Sequence, residues 1–194
     1  MTDPGTPRSA DLETDLETDP ALATAVLEIE THVSGEGWDG PARLFALVDT
    51  SELVRAEPAL AAAMGLDQAS QDGGLTPVEQ DQLTSSESLE SVLQTTAWPA
   101  GVAGCAAVVE RLVLPPDADG HIPDDPTEAE AYARSHPDRQ EVRIVAGVTR
   151  AGATYCALRL RAHDDDQSVI GGTDLVPQLL QLLQATLEEH EEDQ

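Results

Sequence analysis

The sequence predicts a two-layer α+β fold with a largely antiparallel sheet of about four strands and helices covering one face. Three observations support this prediction. The chain of 194 residues suits one domain. Its predicted elements run in the order helix, strand, short helices, helix, strand, hairpin, helix, so consecutive strands lack helical crossovers. Apolar and polar residues also alternate along both arms of a hairpin between Glu141 and Ala162.

The first part of the chain predicts a helix followed by a strand. Asp19 suits the cap of a helix that begins at Pro20. Four aliphatic residues then recur at helical spacing, and they are Leu22, Val26, Ile29 and Val33. After this helix we expect a strand at 43–49, short helical pieces near 51–55 and 58–65, and a loop at 67–75.

The middle of the chain predicts one further helix and a central strand. Thr76 to Glu79 form a capping-box pattern with proline at the first helical position, which predicts a helix that runs on to Trp98 and Pro99. The long apolar run from Val102 to Leu114 predicts a central strand. Residues 116–138 are rich in proline and aspartate, and we interpret them as a surface excursion with a weak helical pattern at 128–134.

The hairpin pattern also predicts its own register. Residues that face each other across two strands share one face of the sheet. A three-residue loop of Arg150, Ala151 and Gly152 places Val142 opposite Leu160, so that apolar side chains meet. A two-residue loop would mix the two faces. The longer loop needs a left-handed residue at its end, and Gly152 supplies it.

The end of the chain predicts a helix that begins near Thr173 and carries a stripe of leucines. Residues 1–18 and 189–194 are acidic and offer little to bury, so we expect them to be disordered tails. The predicted organisation is therefore an acidic tail at 1–18, a single α+β domain at 19–188 and an acidic tail at 189–194.

The charge of the chain limits its partners. It has 37 acidic and ten basic residues and a net charge of −27 at pH 7. This charge repels phosphate backbones and anionic membranes, so we expect no nucleic-acid partner and favour cations or basic partners. All basic residues are arginine, and lysine and asparagine are missing, as is typical of a source with a high GC content.

The sequence also predicts a cytoplasmic location without membrane insertion. The first twenty residues lack the apolar core of a signal peptide. No stretch reaches the roughly 18 apolar residues of a membrane span. Two cysteines are too few for a secreted disulfide scaffold.

Four segments of the chain resemble an uncharacterised family of acidic proteins from actinobacteria. The segments are Gly37-Trp-Asp-Gly-Pro41 leading into RLFALVDT, Trp98-Pro99 leading into GCAAVVERLVLPP, His136-Pro-Asp-Arg-Gln-Glu141 leading into VRIVAGV, and CALRLRAHDDDQSVIGG. The resemblance extends from about the first helix to the last and leaves out the tails. It implies a small single-domain cytosolic protein, and it implies no activity.

A run of carboxylates after the hairpin could bind a metal ion. His163, Asp164 and Asp166 offer hard ligands within one turn, which suits a divalent cation. The spacing of an EF-hand is missing, and consecutive carboxylates do not all converge on one ion. The alternative interpretation is a solvated turn between the last strand and the last helix.

Cys105 and Cys156 lie in predicted apolar strands. We interpret them as small buried hydrophobic residues, with a nucleophile or a redox pair as the alternative. The sequence leaves open whether the two are close in space. It contains no P-loop or dinucleotide fingerprint, and we predict no cofactor and no catalytic residue.

Three of the scarce arginines share the polar face of the predicted hairpin. Arg143, Arg159 and Arg161 could together receive a carboxylate or an acidic peptide, because the guanidinium fork matches carboxylate geometry. The alternative is intramolecular pairing with Glu141, Glu110 or the tails.

These observations favour a noncatalytic cytosolic interaction protein of the adaptor or chaperone kind, whose partner is another protein or a second copy. Two alternatives stay open. One is a metal-assisted enzyme or metal-binding protein that uses the loop from His163 to Asp166. The other is a homodimer formed through the exposed sheet face.

Overall fold

The protein is described by a computed structural model that covers residues 18–66, 73–81, 83 and 88–188. Its strands form one antiparallel sheet, and they are β1 (Arg43–Asp49), β2 (Leu75–Glu79), β3 (Gly104–Val113), β4 (Gln140–Thr149), β5 (Thr154–Leu160) and β6 (Ile170–Gly172). Its α-helices are α1 (Pro20–Ser34), α2 (Thr50–Ala56), α3 (Pro58–Ala63), α4 (Leu89–Thr95), α5 (Pro126–Ser135) and α6 (Pro177–Leu187). The strand order across the sheet is β2-β1-β3-β4-β5-β6.

The predicted sheet of about four strands is wrong, because the sheet has six. The two additional strands are β2 and β6 at its edges. Strand β6 has only three residues, two of them glycine, so its sequence carries no alternating pattern that could have revealed it. The expected antiparallel pairing is confirmed for all five strand pairs.

Strand β2 replaces the predicted start of a helix at Thr76–Glu79. The segment pairs with β1, with Val78 opposite Ala46. The hydroxyl of Thr76 lies 2.9 Å from the hydroxyl of Thr50 and does not cap a helix. Pairing with the sheet therefore outweighs the local capping signal. Further along the predicted helix, residues 82 and 84–87 lie outside the described residues, and α4 begins after a cap at Ser88.

Helix α1 forms as its sequence predicts. The carboxylate of Asp19 accepts hydrogen bonds from the backbone of Ala21 at 3.0 Å and of Leu22 at 3.1 Å, and Pro20 occupies the first turn. The helix ends at Gly35. Its buried side faces β4 and β5 and consists of Leu22, Ala25, Val26, Ile29, Glu30 and Val33.

The hairpin of β4 and β5 has the predicted register. Val142 lies opposite Leu160, and Arg143 lies opposite Arg159. The loop is Arg150–Gly152, and Gly152 has a φ of 90°, which confirms the left-handed residue at its end. In this register one face carries apolar pairs such as Val142–Leu160, and the other face carries the charged pair Arg143–Arg159 together with the apolar pair Val145–Ala157.

Helices cover both faces of the sheet, which corrects the prediction that they cover one. Helix α1 packs on the face that carries Phe45, Leu47, Val108 and Val145. Helices α4 and α6 pack on the opposite face, which carries a second apolar core of residues Leu44, Cys105, Ala107, Val109, Val142, Ile144, Ala146, Val148 and Cys156. The arrangement is therefore a helix layer on each side of the sheet.

Most of the remaining predicted elements are present, but they begin or end at other residues than predicted. The excursion 116–138 contains a 3₁₀ turn at Pro116–His121 and helix α5, which has no fully buried residue. The last helix begins at Pro177, four residues after Thr173. The predicted tail residues 1–17 and 189–194, and loop residues 67–72, lie outside the described residues. Within the described part of the chain, no helix has the length and apolarity that crossing a membrane requires.

Candidate functional site

The three arginines predicted to form a polar face lie on the side of the sheet that α1 covers. Arg143 is 1% exposed and Arg159 is 2% exposed. The alternating pattern predicts an open face, whereas helix α1 packs on it and forms a second helix layer. We call Arg143, Arg159, Arg161 and the groups that contact them the arginine cluster.

Arg159 is held by three carboxylates. Its Nε donates to Glu30 of α1 at 2.5 Å, and its Nη2 donates to the other oxygen of that carboxylate at 3.0 Å. Both side chains of this pair are 3% exposed. Asp164 and Asp166 accept further hydrogen bonds from Arg159 at 3.2 and 2.7 Å. The hydrogen bond with Glu30 is the main cause of a raised pKa at Arg159, so the guanidinium remains charged.

Arg143 lies directly opposite Arg159 on the neighbouring strand. Like charges in this arrangement repel, so each needs its own counter-charge. Glu110 accepts from Arg143 at 3.1 Å, and the backbone carbonyl of Gly37 accepts from the same nitrogen. The ring of Trp38 lies 4.3 Å from the guanidinium carbon, in the range of a cation–π contact. The other two nitrogens, Nε and Nη1, are buried and have no hydrogen-bond partner among the described atoms.

Arg161 is the accessible member of the arginine cluster. Its guanidinium donates to both oxygens of Asp39, at 2.9 and 3.0 Å, and to Glu141 at 2.7 Å. The hydrogen bond from Arg161 lowers the pKa of Asp39. The pairing with Glu141 is the intramolecular alternative that the sequence analysis left open.

The loop between α1 and β1 closes over the cluster. Gly37 and Asp39 have positive φ values of 93° and 67°, which turn the loop sharply around Trp38. The indole nitrogen of Trp38 donates to Asp164 at 2.9 Å, and the backbone nitrogen of Asp39 donates to Glu110 at 2.8 Å. Trp38 therefore connects this loop to Asp164, which follows β5, and to Arg143 of β4.

Two of the three residues predicted to bind a metal, Asp164 and Asp166, contact this cluster. Asp164 and Asp166 both accept from Arg159, and Asp165 accepts from the backbone of Gln167 at 3.1 Å. His163 is exposed. Among the described residues, no group of three or more histidine, cysteine, aspartate or glutamate side chains is placed to hold a metal ion. The geometry gives these carboxylates an ion-pairing role.

Both cysteines are free and buried on the α6 side of the sheet. Burial raises the pKa of Cys105 to about 11, and burial also raises the pKa of Cys156. The sulfur of Cys105 lies 3.5 Å from the hydroxyl of Thr186 and 3.7 Å from the carbonyl oxygen of Leu183. Protonated thiols in these positions act as packing groups, because the thiolate is the reactive form.

Arg150 makes contacts that its predicted place in the hairpin loop does not reveal. The guanidinium donates to the carbonyl oxygens of Val102 at 2.8 Å, Trp98 at 3.1 Å and Pro99 at 3.0 Å, and also to that of Leu187. It thereby connects the end of α6 to the segment before β3. The scarcity of arginine in the chain was the one available signal for such a role.

One family model matches this chain. It describes the PPA1309-like proteins and covers residues 22–188. The match spans the same part of the chain as the resemblance described above, from the first helix to the last. Comparisons with curated proteins and with solved structures show no match.

Proposed function

This chain belongs to the PPA1309-like protein family, and we propose that it is a noncatalytic interaction protein, adaptor-like or chaperone-like, whose partner is a basic protein. The proposal depends on how the chain uses its arginines. Eight of the ten donate hydrogen bonds to the protein's own groups, and they are Arg43, Arg111, Arg134, Arg139, Arg143, Arg150, Arg159 and Arg161.

Most acidic residues have no arginine to pair with, because the chain has 37 acidic residues and ten basic ones. The net charge of the chain is −27. A surface field of this sign attracts basic proteins and repels nucleic acid. The contacts of the three arginines also disfavour the acidic peptide considered for them. Arg159 is buried against Glu30 of α1, Arg143 is buried against the loop that contains Trp38, and carboxylates already engage Arg161.

The two alternative functions receive less support from the geometry. A homodimer through an open sheet face would have to displace a helix, since helices lie on both faces in the described part of the chain. In a metal-assisted enzyme, the metal ion would have to displace Arg159 from the carboxylates of Asp164 and Asp166. The raised thiol pKa values also argue against a cysteine nucleophile.

The proposal includes a cytoplasmic location and an actinobacterial source. Two free, buried cysteines suit a reducing compartment. The lack of lysine and asparagine suits a genome of high GC content, as in that group of bacteria.

Affinity capture from the cytosol of the source cells tests this proposal when it is performed at two salt concentrations. We expect basic proteins to be enriched on the wild-type chain at ~0.1 M NaCl and released at ~0.5 M, because salt screens charge attraction between exposed groups. The matched control is Arg161→Ala, which removes the accessible cation of the arginine cluster and leaves its two buried cations in place.

The control separates the two kinds of partner. A basic partner should remain bound to Arg161→Ala. An acidic partner that is lost on this substitution would contradict the proposal and restore the arginine cluster as a binding site.

A further inference from the structure

An apolar row crosses four strands on the face that carries α6. Val109 of β3 lies opposite Ile144 of β4, Ile144 lies opposite Leu158 of β5, and Leu158 lies opposite Ile170 of β6. Exposure increases along the row, from 4% at Val109 to 9% at Ile144 and 50% at Ile170. The helix layer thus leaves one end of this row open to solvent.

The start of α6 forms a groove over the inner part of this row. Leu179 and Leu182 are half-buried, and with Val176 they lie above Val109 and Ile144. The groove encloses about 480 Å³, within the usual size range of ligand pockets, and its walls are mainly aliphatic. We call the space between these five residues the apolar groove.

The polar groups at the mouth of the apolar groove compensate each other. Glu90 of α4 and Arg111 of β3 form an ion pair of 2.5 Å in which both side chains are about half exposed. The exposed amide of Gln178 also lies at this mouth. Because Glu90 already neutralises Arg111, the residues described at this mouth offer no free positive charge. The net charge of the whole chain therefore determines which charged segment is attracted.

Two kinds of occupant could fill an aliphatic groove of this kind. A second copy of the chain would bring another net charge of −27, and charge repulsion opposes that contact. A basic segment is attracted by the same charge, and an aliphatic side chain within it would gain free energy on leaving water. Charge complementarity therefore selects the basic segment.

We propose that the apolar groove holds aliphatic side chains of a partner-protein segment whose flanking residues are basic. This inference rests on the proposed function, because it names the site at which a basic partner binds. An apolar centre surrounded by a polar rim is the usual arrangement of protein interfaces.

A titration of the full chain with a model peptide tests the inference by NMR of side-chain methyl groups. The probe is a peptide of leucine and lysine with leucines spaced three and four residues apart. One control peptide has glutamate in place of lysine, and the other has serine in place of leucine. We expect the leucine–lysine peptide alone to shift the methyl signals of Val109, Ile144 and Leu182.

Matched variants locate the binding. Gln178 and Gln181 are both exposed on α6, but only Gln178 lies at the groove. Gln178→Arg should weaken the leucine–lysine peptide about tenfold, and Gln181→Arg should change its affinity by less than about twofold. Leu179→Ala, which removes part of the wall, should also weaken binding, whereas Leu27→Ala on the exposed side of α1 should not.

Three outcomes would overturn the inference. The first is equal binding of the glutamate peptide. The second is binding of the leucine–lysine peptide that both glutamine variants affect alike. The third is a dimer in sedimentation that Gln178→Arg dissociates, which would make a second copy the occupant. If basic proteins are still captured from cytosol by Gln178→Arg at wild-type level, this site is wrong while the proposed function stands.

Discussion

Replacing Arg159 with alanine should lower the free energy of unfolding by about 3–5 kcal/mol. The substitution leaves the carboxylate of Glu30 buried, 3% exposed, without its counter-charge. It also releases Asp164 and Asp166, two carboxylates in a chain that already carries a large negative excess. Breaking one side of a buried ion pair costs far more than the pair itself contributes.

Urea unfolding followed by circular dichroism measures this loss, with Arg139→Ala as the matched control. Arg139 is exposed, and its side chain donates to the carbonyl of His136 at 3.2 Å and to no other group among the described residues. Its removal should therefore change stability by less than about 0.5 kcal/mol. Equal stability of the two variants would show that Arg159 does not brace the fold.

Replacing Arg150 with alanine should lower the free energy of unfolding by about 2–4 kcal/mol. Its guanidinium donates to four backbone carbonyls that belong to the end of α6 and to the segment before β3. Each hydrogen bond to a charged group contributes about 1.5–3 kcal/mol, and bonds that share one donor group are not additive. Lysine cannot reproduce the planar fork, so Arg150→Lys should recover only part of the loss.

The control for Arg150 is Arg134→Ala. Arg134 pairs with Glu130 on the exposed surface of α5, where one ion pair contributes little. Thermal unfolding of the three variants gives the comparison. If the stability of Arg150→Lys equalled that of the wild type, a positive charge at this position would be sufficient. The four hydrogen bonds to carbonyl groups would then not explain the role of Arg150.

The local sequence predicts an element correctly where its hydrophobic periodicity and the residues at its ends indicate the same structure. The hairpin register followed from one requirement, that Val142 and Leu160 share a face, together with a glycine at the end of the loop. Helix α1 followed from Asp19 and Pro20. In both cases the contacts that fix the structure lie close in sequence or repeat along it.

The prediction failed where a distant partner overrides a local signal. Thr76–Glu79 carries a capping-box pattern, yet β1 pairs with it and makes it a strand. Strand β6 is too short for a periodic pattern and depends on pairing with β5. These two edge strands account for the difference between about four strands and six.

The arginine cluster shows why alternation alone misassigns a face. Charged residues at alternating positions, such as Glu141 and Arg143 of β4 or Arg159 and Arg161 around the end of β5, are typical of a solvent-exposed face. Here Glu30, which lies 129 residues before Arg159, covers that face from α1. Glu30 follows Ile29 and comes four residues after Val26 on the apolar side of the helix, and this was the available signal that the carboxylate is buried. The groove between α6 and the sheet likewise depends on where the helix docks.

The coupling between Glu30 and Arg159 tests most directly the claim that the arginines bind the protein's own groups and not an outside partner. A double-mutant cycle with Glu30→Leu, Arg159→Leu and the double variant, measured by urea unfolding, isolates their interaction. We expect a coupling energy of about 2–3 kcal/mol and a double variant that is more stable than the sum of its single variants implies. A coupling below about 0.5 kcal/mol, with single variants close to the wild type, would contradict the account, because Arg159 would then be available to an outside partner.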